Sequence, residues 1–138
     1  MLLLARRAGQ YPRAMMSYFI VFLGAGIGGM MRHGANAAVT RALGPAFPYG
    51  IMIVNVAGCL AMGLIAGWFA FRGQAGQDWR LFLTTGILGG FTTFSAFSLD
   101  TALLWERGEP ALAALYVIGS VVLSLAGVFT GLWLVRHA

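Results

Sequence analysis

Residues 84–98 read Thr-Thr-Gly-Ile-Leu-Gly-Gly-Phe-Thr-Thr-Phe-Ser-Ala-Phe-Ser, a concentration of glycines, hydroxyls and aromatics unusual for a helix of purely structural purpose. The pair Gly89-Gly90 and the β-branched pair Thr92-Thr93 both lower helix propensity, so the segment predicts a non-helical break across 89–93. The alternative is a kinked helix whose glycines serve close packing. The stretch lies in the middle of a long apolar run, which puts the irregularity at the centre of a membrane span. Unwound carbonyls are tolerated there only when buried in protein or lining a wet cavity, and several that converge can hold a dehydrated cation.

Moving outward, that run is the third of four stretches long enough to cross a bilayer, at residues 17–39, 48–71, 80–105 and 111–135. The connections are short and rich in glycine, proline and charge, so consecutive helices are expected as antiparallel neighbours. The fold class is therefore an all-α membrane protein of four transmembrane helices, the third broken at the midplane. Residues 1–15 are read as an N-terminal extension, with Met15-Met16 an equally good start, and 16–138 as a single four-helix domain. Each span carries glycines at the close-packing interval: Gly24/Gly28, Gly63/Gly67, Gly86/Gly90 and Gly127/Gly131.

Composition agrees. Of 138 residues 59% are hydrophobic and 9% charged, too few polar groups to cover a protein in water, so lipid is the expected solvent. All nine cations are arginine and form no basic stripe interleaved with aromatics, which excludes nucleic acid as a partner. The lone Cys59 provides neither a disulfide framework nor metal-ligand spacing. Counted from Met1, Arg6, Arg7, Arg13, Arg72, Arg80 and Arg136 face one side and Arg41 and Arg107 the other, which places both termini in the cytoplasm. Counted from Met16, three arginines face two, a bias weak enough to permit insertion in both orientations.

Several side chains suit an anion path. Phe94 and Phe97 are three residues apart and share a face, and phenyl edges carry partial positive charge. Ser95 adds a hydroxyl beside them. Asn55 lies in the middle of the second span and must face the bundle, either as an interhelical hydrogen bond or as a polar rung. Tyr116, Ser120 and Ser124 recur at every fourth residue of the last span, aligning three hydroxyls, although serines also bond carbonyls one turn back. Arg32 and Asp100 are the deepest charges: Arg32 snorkels, caps or attracts anions to a vestibule, and Asp100 pairs with an arginine or guards an aqueous mouth.

The pattern Gly24-Ala25-x-x-Gly28-Gly29-x-x-Arg32, then Asn55-x-x-Gly58, then Gly89-Gly90-Phe91-Thr92-Thr93-Phe94-Ser95-Ala96-Phe97 resembles the Fluc (CrcB) fluoride channels across all four spans. The resemblance implies an antiparallel, dual-topology homodimer in the inner membrane with two fluoride pores. It further implies a central structural sodium held by the backbone carbonyls of Gly89 and Thr92. Phe94 and Phe97 would form an aromatic box, Asn55 and Ser95 would contribute along the path, and Tyr116, Ser120 and Ser124 would line a polar track. The chain departs from that pattern at Ile51, where a threonine is expected, at Ala96, where a hydroxyl is usual, and at Asp100, often glutamate. A passive pore suffices for the implied task, because HF enters uncharged, ionises in the cytoplasm and leaves as fluoride down its gradient, helped by the inside-negative potential. No phosphate-binding motif or second embedded acid suggests an enzyme or pump. Two other readings are a small multidrug exporter coupled through Asp100 and an assembly factor whose glycines only pack helices.

Overall fold

The computed structural model describes residues 10–71 and 76–138, and the regular structure among them is helical. Helix α1 (Gln10–Leu43) and α2 (Tyr49–Phe71) form the first two spans. The third begins as α3 (Gln77–Leu81), widens into a π-helical segment (Phe82–Leu88), tightens again as α4 (Gly89–Phe91) and resumes after two extended residues as α5 (Phe94–Glu106). Helix α6 (Pro110–His137) completes the chain. Four spans are thus long and apolar enough to cross a membrane, at Met15–Leu43, Tyr49–Phe71, Gln77–Glu106 and Pro110–His137. Arg6, Arg7, Arg72 and most of the expected 1–15 extension lie outside the described residues; within that extension α1 runs on unbroken from Gln10.

The helix ends follow from local sequence. Gly108 takes a left-handed conformation (φ 77°) after α5, where its N–H donates to Trp105 O at 3.0 Å and the next amide, Glu109, to Leu104 O at 3.1 Å. This paired pattern satisfies two terminal carbonyls, and only glycine adopts that φ without strain. Pro110 then opens α6 at a position where its missing N–H costs nothing. Gly44 (φ 82°) ends α1 likewise, with its N–H on Thr40 O at 2.9 Å.

All four glycine pairs lie at helix contacts. Helix α1 meets the first half of the third span, where a Cβ on Gly24 would come within 2.7 Å of the Gly86 Cα and one on Gly90 within 2.5 Å of Ala25 O. A Cβ on Gly28 would collide with Ile87 O. Helix α2 packs along α6, where a Cβ on Gly131 would lie 2.6 Å from Leu60 O and one on Gly63 would strike Val128 O, while Gly67 and Gly127 are less tight, at 3.1 Å from Val135 Cβ and 3.2 Å from Val56 O. Such backbone approach gives dispersion contact that lipid cannot better, the main drive for helix association in a bilayer. The side-chain core is correspondingly small: Ile51, Phe97, Leu104, Ala113 and Tyr116, with Ala96 and Phe47 against it. Large apolar residues such as Phe22, Trp105 and Phe129 face outward, as lipid-facing residues do.

The break differs from the expected one. Gly89 is helical (φ −64°, ψ −36°), and the extended backbone is confined to Thr92 (ψ 154°) and Thr93 (φ −152°, ψ 123°). Gly90 serves close packing against α1 at Ala25, while the threonines, held from outside by other helices, leave the helix. The π-helical segment before them has no signature in the sequence; there the Gly89 N–H reaches Thr84 O, five residues back. Thr84 Oγ1 donates to Arg80 O at 2.7 Å one turn earlier, a bond that competes with the backbone ladder.

Candidate functional site

The site is built around Thr93. Its N–H, which in a continuous helix would bond Gly89 O, instead donates to Asn55 Oδ1 at 2.8 Å, and its carbonyl accepts from Asn55 Nδ2 at 3.0 Å. One carboxamide thus satisfies both polar groups of an extended residue whose own neighbours cannot. Thr93 is also the N-cap of α5: its Oγ1 accepts from Ala96 N at 3.3 Å and shares a hydrogen bond of 3.1 Å with Ser95 Oγ. Thr92 ties back, with its N–H and its Oγ1 both donating to Leu88 O at 3.0 Å. Gly58, one turn beyond Asn55, makes room for this arrangement, since a Cβ there would run into the Thr92 methyl and lie 3.1 Å from the Phe91 ring.

A groove of about 330 Å³ opens beside the break. Asn55 and Cys59 line it from α2, Thr92 and Thr93 from the break, Phe94 and Phe97 from α5, and Ser120, Val121, Ser124 and Leu125 from α6. Of the residues expected on an anion path, Asn55, Phe94, Phe97, Ser120 and Ser124 are therefore brought together. The Ser120 hydroxyl is buried and has no hydrogen-bond partner. An unmade bond of that kind costs about 1–3 kcal/mol. The two phenyl rings lie 5.4 Å apart at 43°, but Phe97 is 8% exposed whereas Phe94 is 78% exposed. No arginine lines the groove.

Two expected residues do not border that groove. Tyr116 is fully buried, its ring 5.3 Å from that of Phe97 and 5.6 Å from that of Phe47, and its hydroxyl donates to Asp100 Oδ2 at 3.3 Å. Ser95 is directed to the Thr93 hydroxyl. Asp100 takes the tyrosine as its hydrogen-bond partner, and together with Pro45, Pro48 and Arg107 lines a separate small pocket. Ile51 and Ala96, which stand where hydroxyls are usual in the resemblance, pack into the cluster around Phe97 and Tyr116.

Arg32 reaches across from α1, its Nη1 in a long contact of 3.5 Å with Thr92 O. Among the described residues no group of three His, Cys, Asp or Glu could hold a metal. A cation at the break would rely on carbonyl oxygens, and the geometry suits this in one respect. With Thr93 N–H committed to Asn55, Gly89 O loses its ladder partner, and with Ala96 N on Thr93 Oγ1, Thr92 O loses its own. Both are hard oxygen donors of the kind sodium accepts, they are too few for a complete shell from one protomer, and Thr92 O already carries the Arg32 Nη1 contact.

Thr93 and Gly58, expected only as part of the break and of the family pattern, and Cys59, expected only as a lone thiol, are also site residues. Thr93 had a signal, a threonine immediately before a helical stretch. Cys59 had another, its position one turn from Asn55 on the same helix face.

Residues 19–132 match the family described as CrcB-like protein, Camphor Resistance (CrcB). The chain is 62% identical over 122 residues to a protein of Nitrobacter hamburgensis named fluoride-specific ion channel FluC 2, covering 88% of this chain and 98% of that one. It is 63% identical over 121 residues to the fluoride-specific ion channel FluC of Rhodopseudomonas palustris strain BisB5, again 88% and 98% of the two chains. A FluC of Granulibacter bethesdensis is 54% identical over 122 residues, 88% of this chain and 96% of that protein.

Proposed function

The chain belongs to the CrcB family, and from that premise we propose that it is a passive fluoride-selective channel through which cytoplasmic fluoride leaves the cell, relieving its toxicity. The observation that bears most weight is the buried, unpartnered Ser120 hydroxyl in a groove lined by phenyl rings and a carboxamide and by no fixed cation. A small anion entering it exchanges water for Ser120 and Ser124 O–H donors and for ring edges at Phe94 and Phe97, with no full positive charge to trap it. Asn55 spends one N–H and its oxygen on Thr93, so its first task is to fix the wall, and its second N–H remains for the path. Asp100 does not line this groove, which argues against an exporter coupled through that acid.

The reading includes an antiparallel homodimer of dual topology in the inner membrane. Phe94 stands largely uncovered in the single protomer, as expected of a side chain that a second copy would enclose. A structural sodium fits the same account: the Gly89 and Thr92 carbonyls of two copies would hold it at the dimer centre, where it would neutralise converging backbone dipoles. Tyr116 and Ser95 then act behind the wall, supporting Phe97 and Thr93.

Expression in a fluoride-sensitive bacterium lacking its own fluoride exit route tests the function in cells. Restored growth in fluoride at neutral and acidic pH supports the reading, and growth no better than with an empty vector refutes it. Reconstitution with N-methylglucamine in place of sodium tests the ion: lost flux, with no dependence on a sodium gradient when sodium is present, is the structural-ion result.

A further inference from the structure

Cys59 has no part in the proposed transport step, yet it borders the same groove. It lies one helical turn beyond Asn55, so the two form a stripe on α2 that borders the groove with the Ser120 and Ser124 stripe of α6. Its thiol is free and the residue partly buried. The independent sign that this space receives a ligand is Ser120, 4% exposed, bordering the same groove with its hydroxyl unpartnered. The chain has no other cysteine, so whatever happens to a thiol here happens at this position.

We propose that Cys59 is a modification site in the wall of the groove, where thiol-reactive electrophiles of low molecular weight, including small disulfides, attach and close the path to anions. The proposal rests on the pore reading above. With an alkyl methanethiosulfonate, the Cys59 thiol gives its proton to solvent and the thiolate sulfur attacks the sulfenyl sulfur of the reagent. A protein–reagent disulfide forms, the bond between that sulfur and the sulfonyl group breaks, and methanesulfinate leaves with the electron pair. A dithiol reductant reverses the change by supplying two electrons and two protons. The attached group occupies the groove, and if it bears a sulfonate it also sets a fixed negative charge in low dielectric, which repels an anion at any group size.

The test uses the full chain in liposomes loaded with fluoride and treated with 2-sulfonatoethyl methanethiosulfonate. Initial fluoride efflux is expected to fall by at least about tenfold, a barrier increase that one buried like charge readily supplies. Intact mass is expected to show one adduct per chain, dithiothreitol to restore the rate, and fluoride in the labelling buffer to slow adduct formation. The comparison for Cys59→Ser is the ratio of treated to untreated rates, expected at one whatever its own untreated rate. One adduct with undiminished efflux overturns the proposal, and so does a thiol that stays unlabelled in the folded protein while the denatured chain labels fully. If Cys59→Ser fails to fold, reversal by dithiothreitol and slowing by fluoride decide between these outcomes. Untreated protein that releases no fluoride refutes the pore reading instead, and slowing of the labelling by fluoride still decides whether the thiol borders an anion site.

Discussion

The carboxamide of Asn55 holds both polar backbone groups of Thr93, accepting from its N–H at 2.8 Å and donating to its carbonyl at 3.0 Å. A side chain on the second span thereby stands in for the helical ladder that the third span gives up. Asn55→Ala leaves an amide and a carbonyl unsatisfied in the protein interior, a loss of about 2–6 kcal/mol at about 1–3 kcal/mol for each group. Thermal unfolding in detergent is expected to shift down accordingly, and fluoride flux to be lost. An Asn55→Ala protein as stable and as active as the parent contradicts the clamp.

Phe94 and Phe97 are adjacent but unequal. Phe97→Ala empties a site in the core and is expected to cost about 3–5 kcal/mol, visible in unfolding and in expression. Phe94→Ala removes a ring that its own protomer leaves 78% exposed, so protomer stability is expected to change little while flux falls. Equal stability losses in the two variants would show that this asymmetry is false.

Tyr116→Phe deletes only the hydroxyl that donates to Asp100 Oδ2. The expected cost is about 1–3 kcal/mol, because a hydrogen bond to a charged or acidic group is lost within the bundle. In a double-mutant cycle with Asp100→Asn, the two changes are expected to be non-additive by about 1 kcal/mol, and strict additivity would mean that the contact contributes nothing.

The glycines make a sharper contrast. A Cβ at Gly90 would sit 2.5 Å from the Ala25 carbonyl oxygen, whereas one at Gly26, on the same α1, meets nothing within 4 Å. Gly90→Ala must push α1 off the third span and is expected to destabilise by about 1–3 kcal/mol or more. Gly26→Ala is expected to be neutral or stabilising by up to about 1 kcal/mol, through helix propensity. Unfolding temperatures of the two proteins, measured side by side, check the sign of each.

Much of the fold was legible because lipid imposes simple rules on sequence. Span lengths, glycine pairs and the presence of an irregularity near Gly89–Thr93 all follow from one-dimensional patterns, and each has its counterpart in the helices. What the pattern does not hold is the identity of partners distant along the chain. Low propensity marked the whole of 89–93 as suspect, but the residue that leaves the helix is the one Asn55 can reach, 38 positions away. The same limit separates Tyr116 from Ser120: spacing aligns them on one stripe, and only the positions of Phe47 and Asp100 bury the tyrosine in the cluster while the serine borders the groove. Arg32 is a further case, since a charge near the end of a span reads as snorkelling until Thr92 O is found beside it.

The central claim is that this groove passes fluoride and refuses larger anions. Purified protein in liposomes loaded with potassium fluoride or potassium chloride, opened to counter-charge flow by valinomycin and followed with ion-selective electrodes, tests it most directly. Rapid fluoride release with chloride retained is the predicted result. Chloride release at a similar rate, or retention of both ions by correctly reconstituted protein, would contradict it.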